Sequence, residues 1–567
     1  MNKKQVIRKL EEIAIYMEIK GENPFKISAY RKAAAALEND ARAMDEMEDL
    51  TKIKGIGKGT AEVISEFLVT GDSVVLQALQ QEIPATLMSL LKIPGLGGKK
   101  IAKLYDELGI ESIADLKVAC EAQEVQKLAG FGAKTEEKLL SGIAQLELRA
   151  ERHAIWEIEP IVKKINEWLS TSEDVQQYAV AGSYRRVNET SKDVDFIVAT
   201  SAPQALKERL LATLDIHEVV AAGDTKVSVV LTDNYMPVDF RFVALQEYAT
   251  ALHHFTGSKE HNVRMRQIAK ARGEKISEYG VELVDGTMKT FTSEAAFFHH
   301  FDLPNIPPAL RVGHEEFERT NFEQLIQHKH IVSDLHMHTT WSDGANSIAQ
   351  MGDALQQRGY THAVITDHSQ FLRVANGLTP ERLDEQRMEI EKYNQAQQNF
   401  RLFAGTEMDI LPDGTLDFSD DVLQRLDFVI ASIHSSFNQS QQEIMARLHN
   451  ALSNPYVHMI AHPTGRIIEK REGYQVDMPQ LVAWAKEYGK ILELNANPYR
   501  LDLCEAHLRL AMEADVPVAI NTDAHAIEQL DYMPLGVQYA QKAWVKTDLV
   551  VNTWTREQFE TFINRQK

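Results

Sequence analysis

The sequence has few cysteines, no long hydrophobic run and a deficit of positive charge. Its 567 residues include only Cys120 and Cys504, which excludes a disulfide framework and a cysteine-based zinc site and favours a reducing cytoplasm. The apolar runs are too short to span a bilayer, so we expect no membrane partner. The first 17 residues carry apolar positions at helical spacing among charges, which predicts an amphipathic helix rather than a signal peptide.

The charge balance argues mildly against a nucleic-acid partner. Lysine and arginine number 61 and acidic residues 82, a net charge of −21. DNA binding depends on local patches rather than on this average, so the positions of the lysines decide the question. A chain of this length is too long for one hydrophobic core, and we expect several domains.

Three similar segments in the first 150 residues each carry two glycines around one apolar residue. They are IKGIGKGTAEVI from residue 53, IPGLGGKKIAKLY from residue 93 and LAGFGAKTEEKLL from residue 128. Such a turn, followed by a helix amino terminus, can present backbone amides to a phosphate. The alternative is a plain turn between helices, but three copies with clustered lysines favour a helix-hairpin-helix that grips DNA backbone. The candidate DNA-binding residues here are Gly55, Gly57, Lys58, Gly95, Gly97 and Lys99.

Strand patterns dominate from about residue 175 to 245, and three aspartates fall within them. Asp193 and Asp195 are two residues apart on one predicted strand and therefore face the same side. Asp239, in PVDFRF, is placed on another strand. Three carboxylates that hold two Mg²⁺ or Mn²⁺ ions form a catalytic site for in-line nucleotidyl transfer. Asp-x-Asp alone would more simply be a solvated strand edge, but a preceding Gly182-Ser183 and basic residues favour the metal site.

Residues 1–310 resemble a family X DNA polymerase of the DNA polymerase beta type. The resemblance rests on the helical amino-terminal region, the GS…RR…DVD motif and HHFTGSKEHNVRMR at 253–266. It implies that the three aspartates bind the catalytic metals. It also implies a nucleotide-binding set of Gly182, Ser183, Arg186, Arg152, Phe255, Gly257, Ser258 and Asn262, to which we add Lys259 for its positive charge beside this motif. Further DNA-binding positions are Arg266, near the templating base, and Lys26 and Tyr30, in a 5′-phosphate pocket.

Two departures from the family pattern have consequences. Lys259 stands where an acidic residue is expected, and its added positive charge predicts tighter nucleotide binding. Val63 stands where the family's deoxyribose-phosphate lyases carry the lysine that forms a Schiff base. Valine has no amine, so the domain is expected to bind DNA ends without that chemistry.

Histidines and carboxylates follow short apolar runs between residues 333 and 525. Seven strands are predicted near residues 331–335, 362–366, 402–407, 427–433, 457–461, 490–495 and 516–521. Strands alternating with helices predict a parallel α/β barrel, whose functional groups lie at the carboxyl ends of its strands. The candidate metal ligands are His336, His338, Asp343, His368, Glu407, His434, His462, Asp523 and His525.

Nine ligands exceed the need of one ion, so two or three Mn²⁺, Zn²⁺ or Fe²⁺ ions are expected, with Glu407 or another carboxylate bridging. Any single histidine here is more simply an ordinary hydrogen-bonded or surface residue, but a set at successive strand ends is not. The motifs DLHMHTTWSDG, TDHS, GTEMD, SIH, AHPTGR and NTDAH resemble the PHP (polymerase and histidinol phosphatase) domain. The resemblance implies a distorted seven-stranded barrel, a trinuclear site and phosphoester substrates. Arg466 is equally well interpreted as a phosphate-binding residue or a surface-loop arginine.

These interpretations combine into a multidomain architecture of helix-hairpin-helix region, α+β nucleotidyltransferase palm with thumb, and (β/α)₇ PHP barrel. The predicted domains are residues 1–80 for a lyase-like DNA-end-binding domain, 81–150 for the helix-hairpin-helix subdomain, 151–245 for the palm, 246–312 for nucleotide selection, 313–333 for a linker and 334–567 for the PHP domain.

The predicted function is template-directed gap filling in DNA repair, such as base excision repair, with PHP-dependent 3′→5′ exonuclease activity. Cleavage at abasic sites and removal of 3′-phosphates are further candidate reactions. The expected partners are gapped or nicked DNA and deoxynucleoside triphosphates, and the expected state is a monomer. One alternative is a PHP phosphoesterase whose polymerase half only binds DNA, and another is an enzyme acting on a small phosphomonoester.

The missing lysine generates a prediction. Because position 63 offers no amine, we expect no borohydride-trapped adduct between this protein and a 5′-deoxyribose-phosphate end. The assay is denaturing gel analysis after reduction, with a lyase-competent polymerase as positive control. A trapped adduct would mean that another lysine forms the imine, and peptide mapping would identify it.

Overall fold

The computed structural model describes residues 3–39, 47, 49–93, 95–150 and 152–565. These form two compact units, residues 1–151 and residues 152–567. None of the helices in the described ranges combines the length and apolar content that a membrane crossing requires.

The first unit is built from helices, and its described residues contain no strand. The helices are α1 (Lys3–Ile19), α2 (Pro24–Asn39), α3 (Lys58–Thr70), α4 (Val74–Glu82), α5 (Gly98–Leu108), α6 (Ile113–Glu121) and α7 (Ala133–Ala150). The first glycine of each predicted hairpin has a positive φ, namely 111° at Gly55, 87° at Gly95 and 89° at Gly130. Glycine adopts this conformation without steric cost, and a helix starts within three residues of each, so the three repeats share one turn geometry.

The second unit begins with the palm. Its helices are α8 (Ile155–Ser170), α9 (Gly182–Arg185) and α10 (Pro203–Thr213). Its strands are β1 (His153–Ala154), β2 (Val175–Val180), β3 (Thr190–Ser191), β4 (Val194–Thr200), β5 (Ile216–Ala222), β6 (Lys226–Leu231) and β7 (Pro237–Val243). Five of them form a sheet in the order β2-β4-β7-β6-β5, in which only β4 and β7 pair in parallel, whereas β1 and β3 form a separate pair. The strand patterns YAVAGSY, VDFIVAT, KVSVVLT and MPVDFRFVAL predict four strands of this sheet, and they miss β5, which is largely exposed.

The following segment carries three helices, α11 (Tyr248–Thr256), α12 (Lys259–Ala271) and α13 (Glu294–His300). A small antiparallel sheet of β8 (Lys275–Ile276), β9 (Val281–Glu282) and β10 (Met288–Lys289) lies between α12 and α13. Residues 313–333, predicted to be a linker, contain three short 3₁₀ turns and bury Phe322, Leu325 and Ile331. This stretch is therefore packed against the rest of the second unit.

The last part of the chain forms a seven-stranded parallel sheet whose strands neighbour one another in chain order. The strands are β11 (Ser333–Asp334), β12 (His362–Ile365), β13 (Arg401–Asp409), β14 (Phe428–Ser432), β15 (Met459–Ile460), β16 (Ile491–Asn495) and β17 (Val518–Asn521). A parallel bridge between Met337 and Ala524 brings the first and last strands together, so the sheet is a nearly closed barrel. The predicted strand number, positions and parallel pairing are confirmed.

Helices surround the barrel and one of them closes its end. They are α14 (Ile348–Gln357), α15 (Pro380–Gln395), α16 (Asp420–Leu423), α17 (Gln441–Ser453), α18 (Met478–Tyr488), α19 (Glu505–Glu513), α20 (Met533–Lys542) and α21 (Arg556–Arg565). On β14, Phe428 and Ile430 join the interior cluster whereas Val429 and Ala431 pack under the helices, so both faces are buried. Phe559 of α21 contacts Phe428, the first residue of its strand. Helix α21 therefore closes the barrel at the amino ends of the strands, and the carboxyl ends remain available for other groups.

Candidate metal centres and nucleotide site

The three palm aspartates meet on neighbouring strands. Asp195 of β4 pairs in register with Asp239 of β7, and Asp193 lies just before β4 rather than on it. Burial, together with repulsion from the other two carboxylates, raises the pKa of Asp195 to about 7. Lys226, which sequence reasoning missed, places its Nζ 2.6 Å from Asp239 Oδ2. Crowded carboxylates of this kind require cations, which fits a divalent-metal site.

Gly182 makes room for this carboxylate cluster. Its φ is 63°, and a methyl carbon added at this position would lie 2.3 Å from Asp195 Oδ2. Any other residue would therefore collide with the Asp195 carboxylate and would also strain the backbone.

The predicted nucleotide-binding residues come together beside the aspartates. Arg186 donates a hydrogen bond to the carbonyl of Thr256, which places its guanidinium against Gly257. Ser183 Oγ lies 2.7 Å from Ser191 Oγ. The Arg152 guanidinium donates to the Thr190 hydroxyl oxygen at 2.8 Å and to the Thr190 carbonyl at 2.6 Å. The predicted nucleotide-binding residues near 183 and those near 256 therefore lie close together.

The remaining predicted residues of this set line the start of α12. Ser258 caps the helix by accepting a hydrogen bond from the His261 amide, so its hydroxyl has a structural role. Asn262 donates to the His254 carbonyl at 2.7 Å, and its Oδ1 has no partner among the described residues. Lys259 and Arg266 are exposed. Arg266 follows Asn262 by four residues and shares its helix face.

A buried ion-pair network supports the 255–258 segment, and sequence reasoning missed it. Glu294 accepts from Arg185 at 2.6 Å and from Arg311 at 2.6 Å. Arg185 also donates to the Thr256 hydroxyl at 2.6 Å. Burial opposes ionisation of Glu294, but the two arginines lower its pKa to about 2, so the network stays charged.

The nine predicted barrel ligands converge at the carboxyl ends of the strands. Three overlapping groups have their donor atoms within 4.8 Å of one another. The groups are His338, Asp343, His368 and His525; His336, His338, Glu407 and Asp523; and His368, Glu407 and His434. The ninth ligand, His462, places Nε2 2.8 Å from Glu407 Oε1. Sharing of His338, His368 and Glu407 between groups matches a centre in which ligands serve neighbouring ions.

Glu407 lies at the middle of this cluster, and its surroundings fit a metal site. Its Oε2 is 2.9 Å from His368 Nδ1 and 3.4 Å from His336 Nε2. That buried oxygen has no hydrogen-bond partner within the described part of the chain. Burial opposes its ionisation, but the imidazoles of His434, His336 and His368 hold the pKa of Glu407 well below its usual value. A buried, ionised and unpartnered carboxylate oxygen among imidazoles is a donor set for transition-metal ions or zinc.

Buried carboxylates behind the ligands orient the imidazoles, and these were not predicted from the sequence. Glu493 of β16 accepts from His336 Nδ1 at 2.7 Å and from the His462 amide at 2.7 Å. Asp409 lies 3.2 Å from His434 Nδ1. A hydrogen bond at Nδ1 directs Nε2 toward the cluster and increases its basicity. The only sequence signal is that both carboxylates interrupt apolar strands.

The main partner of Arg466 is a palm residue, rather than solvent or the histidine cluster of the barrel. Its guanidinium binds both carboxylate oxygens of Glu189 in the palm, at 2.8 and 3.2 Å. It also donates to the carbonyls of Arg500 and Leu501. The surface-loop interpretation is therefore wrong, and the phosphate-binding interpretation would require Arg466 to leave Glu189.

In the first unit, the predicted DNA-contacting lysines differ in what they contact. Lys58 and Lys99 are exposed at helix starts, and Lys26 is exposed with an ion pair to Glu22 at 3.2 Å. Tyr30 is buried. Val63 is also buried and belongs to the hydrophobic core of this unit. The position of the family's lyase lysine is therefore a packing position here.

Comparisons with known proteins match several segments of the chain. Family models match a helix-hairpin-helix domain at residues 1–73, a SAM-like helix-hairpin-helix tandem at 87–145, a DNA polymerase beta thumb at 251–312 and a PHP domain at 334–497. A DNA polymerase/3′-5′ exonuclease PolX of Bacillus subtilis is 54% identical over 568 residues, covering all of both chains. A probable phosphatase of Thermoanaerobacter is 27% identical over 39% of this chain and 91% of its own length. Another, from Acetivibrio thermocellus, is 28% identical over 42% of this chain and 96% of its own length.

The fold, with a palm aspartate cluster and a barrel cluster of histidines and carboxylates, is that of a family X DNA polymerase joined to a PHP domain. Because the similarity extends over the whole chain at 54% identity, the chain belongs to the family of DNA polymerase/3′-5′ exonucleases of the PolX type.

Gly182 gives a prediction for the palm. Gly182→Ala should reduce nucleotide addition by about 100-fold or more, because the new methyl group displaces Asp195. Primer extension measures this. Gly223→Ala is the matched control, since its methyl group would meet only the Lys226 carbonyl at an ordinary 3.4 Å. Equal extension by both variants would contradict the crowding argument.

Glu493 gives a prediction for the barrel. Glu493→Gln should weaken metal binding by about 10- to 100-fold, because the amide supports the His336 imidazole less well than the carboxylate does. Isothermal titration calorimetry with manganese measures the affinity directly. Glu391→Gln, which alters an exposed carboxylate of α15, should bind manganese as the wild type does. An unchanged manganese affinity in Glu493→Gln would show that Glu493 does not support the metal site.

Proposed function

We propose that this protein is a template-directed DNA polymerase and 3′→5′ exonuclease with two separate metal centres. The observation that carries the proposal is the coexistence of the palm aspartate cluster and the nine-ligand barrel cluster in a chain of the PolX family. DNA with a recessed or gapped 3′ end and deoxynucleoside triphosphates are the substrates that serve both centres.

The palm would perform nucleotide addition. Asp193, Asp195 and Asp239 would hold Mg²⁺ or Mn²⁺, and divalent ions so placed stabilise the charge that develops in phosphoryl transfer. Ser183 and Arg186 would bind the triphosphate, and Asn262 would contact the base through its unpartnered Oδ1. Arg152 would join them from the position just before β1, where its contacts with Thr190 hold it near Ser183.

The barrel would process 3′ ends. Its cluster would take two or three ions of Mn²⁺, Zn²⁺ or Fe²⁺, since imidazole and carboxylate donors suit all three. Relatives named probable phosphatases match 39% and 42% of this chain, which supports removal of a 3′-phosphate as a second reaction. Both reactions yield the free 3′-hydroxyl that the palm requires.

The helix-hairpin-helix unit would hold the DNA backbone through Gly55, Gly57, Lys58, Gly95, Gly97 and Lys99. Exposure of the lysines at helix starts supports this. Gap filling during base excision repair, cleavage at abasic sites and action as a monomer in the cytoplasm complete the proposal. The repair role and the abasic-site reaction are supported by the family resemblance, and the cytoplasm by the presence of only two cysteines.

Separation of the two activities tests the proposal. Asp193→Ala combined with Asp195→Ala should abolish extension of a gapped duplex and leave 3′-end degradation intact, because the barrel is unchanged. His336→Ala should do the reverse, because it removes a barrel ligand. Each protein is assayed on one labelled gapped duplex, with and without nucleotides, in Mg²⁺ and in Mn²⁺.

The wild-type protein is the reference, and its circular dichroism spectrum and melting temperature check the folding of the variants. Loss of both activities in either correctly folded variant would contradict two independent centres. Degradation without any extension by the wild type would favour the alternative, in which the polymerase half only binds DNA.

A further inference from the structure

The palm loop of residues 187–191 is held by side chains of the PHP domain. Glu189 receives two hydrogen bonds from Arg466, at 2.8 and 3.2 Å, and one from the hydroxyl of Tyr539. Tyr539 is buried, and its hydroxyl also accepts from the Glu505 amide at 3.1 Å. Both partners of Glu189 are thus fixed within the PHP domain, so the carboxylate position is set from that side.

Two further contacts hold the same loop. Lys542 Nζ donates to Asn188 Oδ1 at 2.8 Å and approaches the Val187 carbonyl at 3.4 Å. Val187 is fully buried and belongs to the hydrophobic cluster that lies between the barrel and its helices. Its φ is 54°, a conformation that β-branched residues adopt only when their surroundings impose it. The loop conformation therefore depends on packing against the PHP domain.

The loop leads directly into the proposed nucleotide site. Thr190 binds Arg152, and Ser191 binds Ser183 at 2.7 Å. Asp193 follows two residues later. A displacement of Glu189 would therefore move residues proposed to bind the triphosphate.

We propose that Tyr539, Lys542 and Arg466 are positioning residues for nucleotide addition, acting from the PHP domain through the 187–191 loop. This inference rests on the proposed nucleotide site. The PHP domain would thereby complete the polymerase centre, in addition to carrying its own. Small misplacement of binding groups is costly in an active site, so the nucleotide KM should respond.

Arg466 differs from the other two because it also holds a PHP loop. Its Nε donates to the Arg500 carbonyl at 3.0 Å and Nη2 to the Leu501 carbonyl at 2.5 Å. The Arg500 side chain in turn lies 3.6 Å from Asp523, a proposed metal ligand. Substitution of Arg466 should therefore alter both activities, whereas Tyr539 and Lys542 give the cleaner test.

The test uses the full-length protein on a gapped duplex. Tyr539→Phe and Lys542→Met should each raise the nucleotide KM by on the order of ten-fold, with a much smaller change in kcat. Degradation of a single-stranded 3′ end should stay at the wild-type rate in both. Tyr393→Phe is the matched control, because it removes a hydroxyl–carboxylate contact, to Asp353 at 2.9 Å, within the PHP domain.

A double-mutant cycle separates a shared contact from unrelated effects. Glu189→Gln and Tyr539→Phe act on one interaction, so the double variant should raise KM no further than the worse single variant. Additive increases would overturn the inference, as would an equal increase in Tyr393→Phe.

Ser183→Ala distinguishes failure of the inference from failure of the nucleotide site. If Ser183→Ala raises the nucleotide KM while Tyr539→Phe and Lys542→Met leave it at the wild-type value, the positioning role is overturned. If Ser183→Ala itself leaves KM unchanged, the proposed nucleotide site is wrong, and the inference falls with it.

Discussion

Parallel pairing of seven strands in chain order is the constraint on which the barrel centre depends. Parallel strands place all their carboxyl ends on one rim, so residues far apart in sequence must meet there. The nine candidate ligands lie on six of the strands or in the loops that follow them, and the seventh strand, β16, carries Glu493 behind His336. Because Phe559 of α21 plugs the opposite end, the hydrophobic interior and the polar rim do not compete for the same space.

This constraint explains why much of the barrel could be predicted from the sequence. Six of the seven strands are short, apolar and either carry a candidate ligand or are followed by one, so the same pattern predicts both the strands and the ligands. The same reasoning brought Asp195 and Asp239 together, because both lie on apolar strands of one sheet. The exposed β5 was missed because neither of its faces carries a buried apolar pattern.

Residues that act through another side chain could not be found in this way. Glu493 and Asp409 support imidazoles, but nothing in their spacing ties them to His336 or His434. Arg466 shows the limit more sharply, since its partner Glu189 is 277 residues away and in another domain. The local sequence pattern predicts which face of a helix or strand is buried. A contact such as that between Arg466 and Glu189 depends instead on how whole domains pack.

Electrostatics gives the two centres a common logic. In the palm, burial and repulsion from the other two carboxylates raise the pKa of Asp195, and the positive charges of Lys226 and Arg241 offset this in part. In the barrel, imidazoles surround Glu407 and keep it ionised. The palm cluster is unfavourable without cations and becomes favourable when divalent ions bind, and carboxylates held by metal ions add little to the negative charge that DNA would meet. The net charge of −21 therefore says little about the surface that DNA would meet.

The junction of palm and PHP domain has the character of a domain interior. Val187 of the palm lies in the same apolar cluster as the barrel's helices, and Trp156 of the palm stacks on Tyr499 at 4.8 Å. A loop buried in this way cannot change conformation without disturbing the core that encloses it. The sequence boundary near residue 333 therefore separates two kinds of chemistry but does not separate two independent packing units. An enzyme that synthesises and degrades the same DNA end gains from this arrangement, because the loop beside one centre and the loop beside the other share Arg466 as a common support.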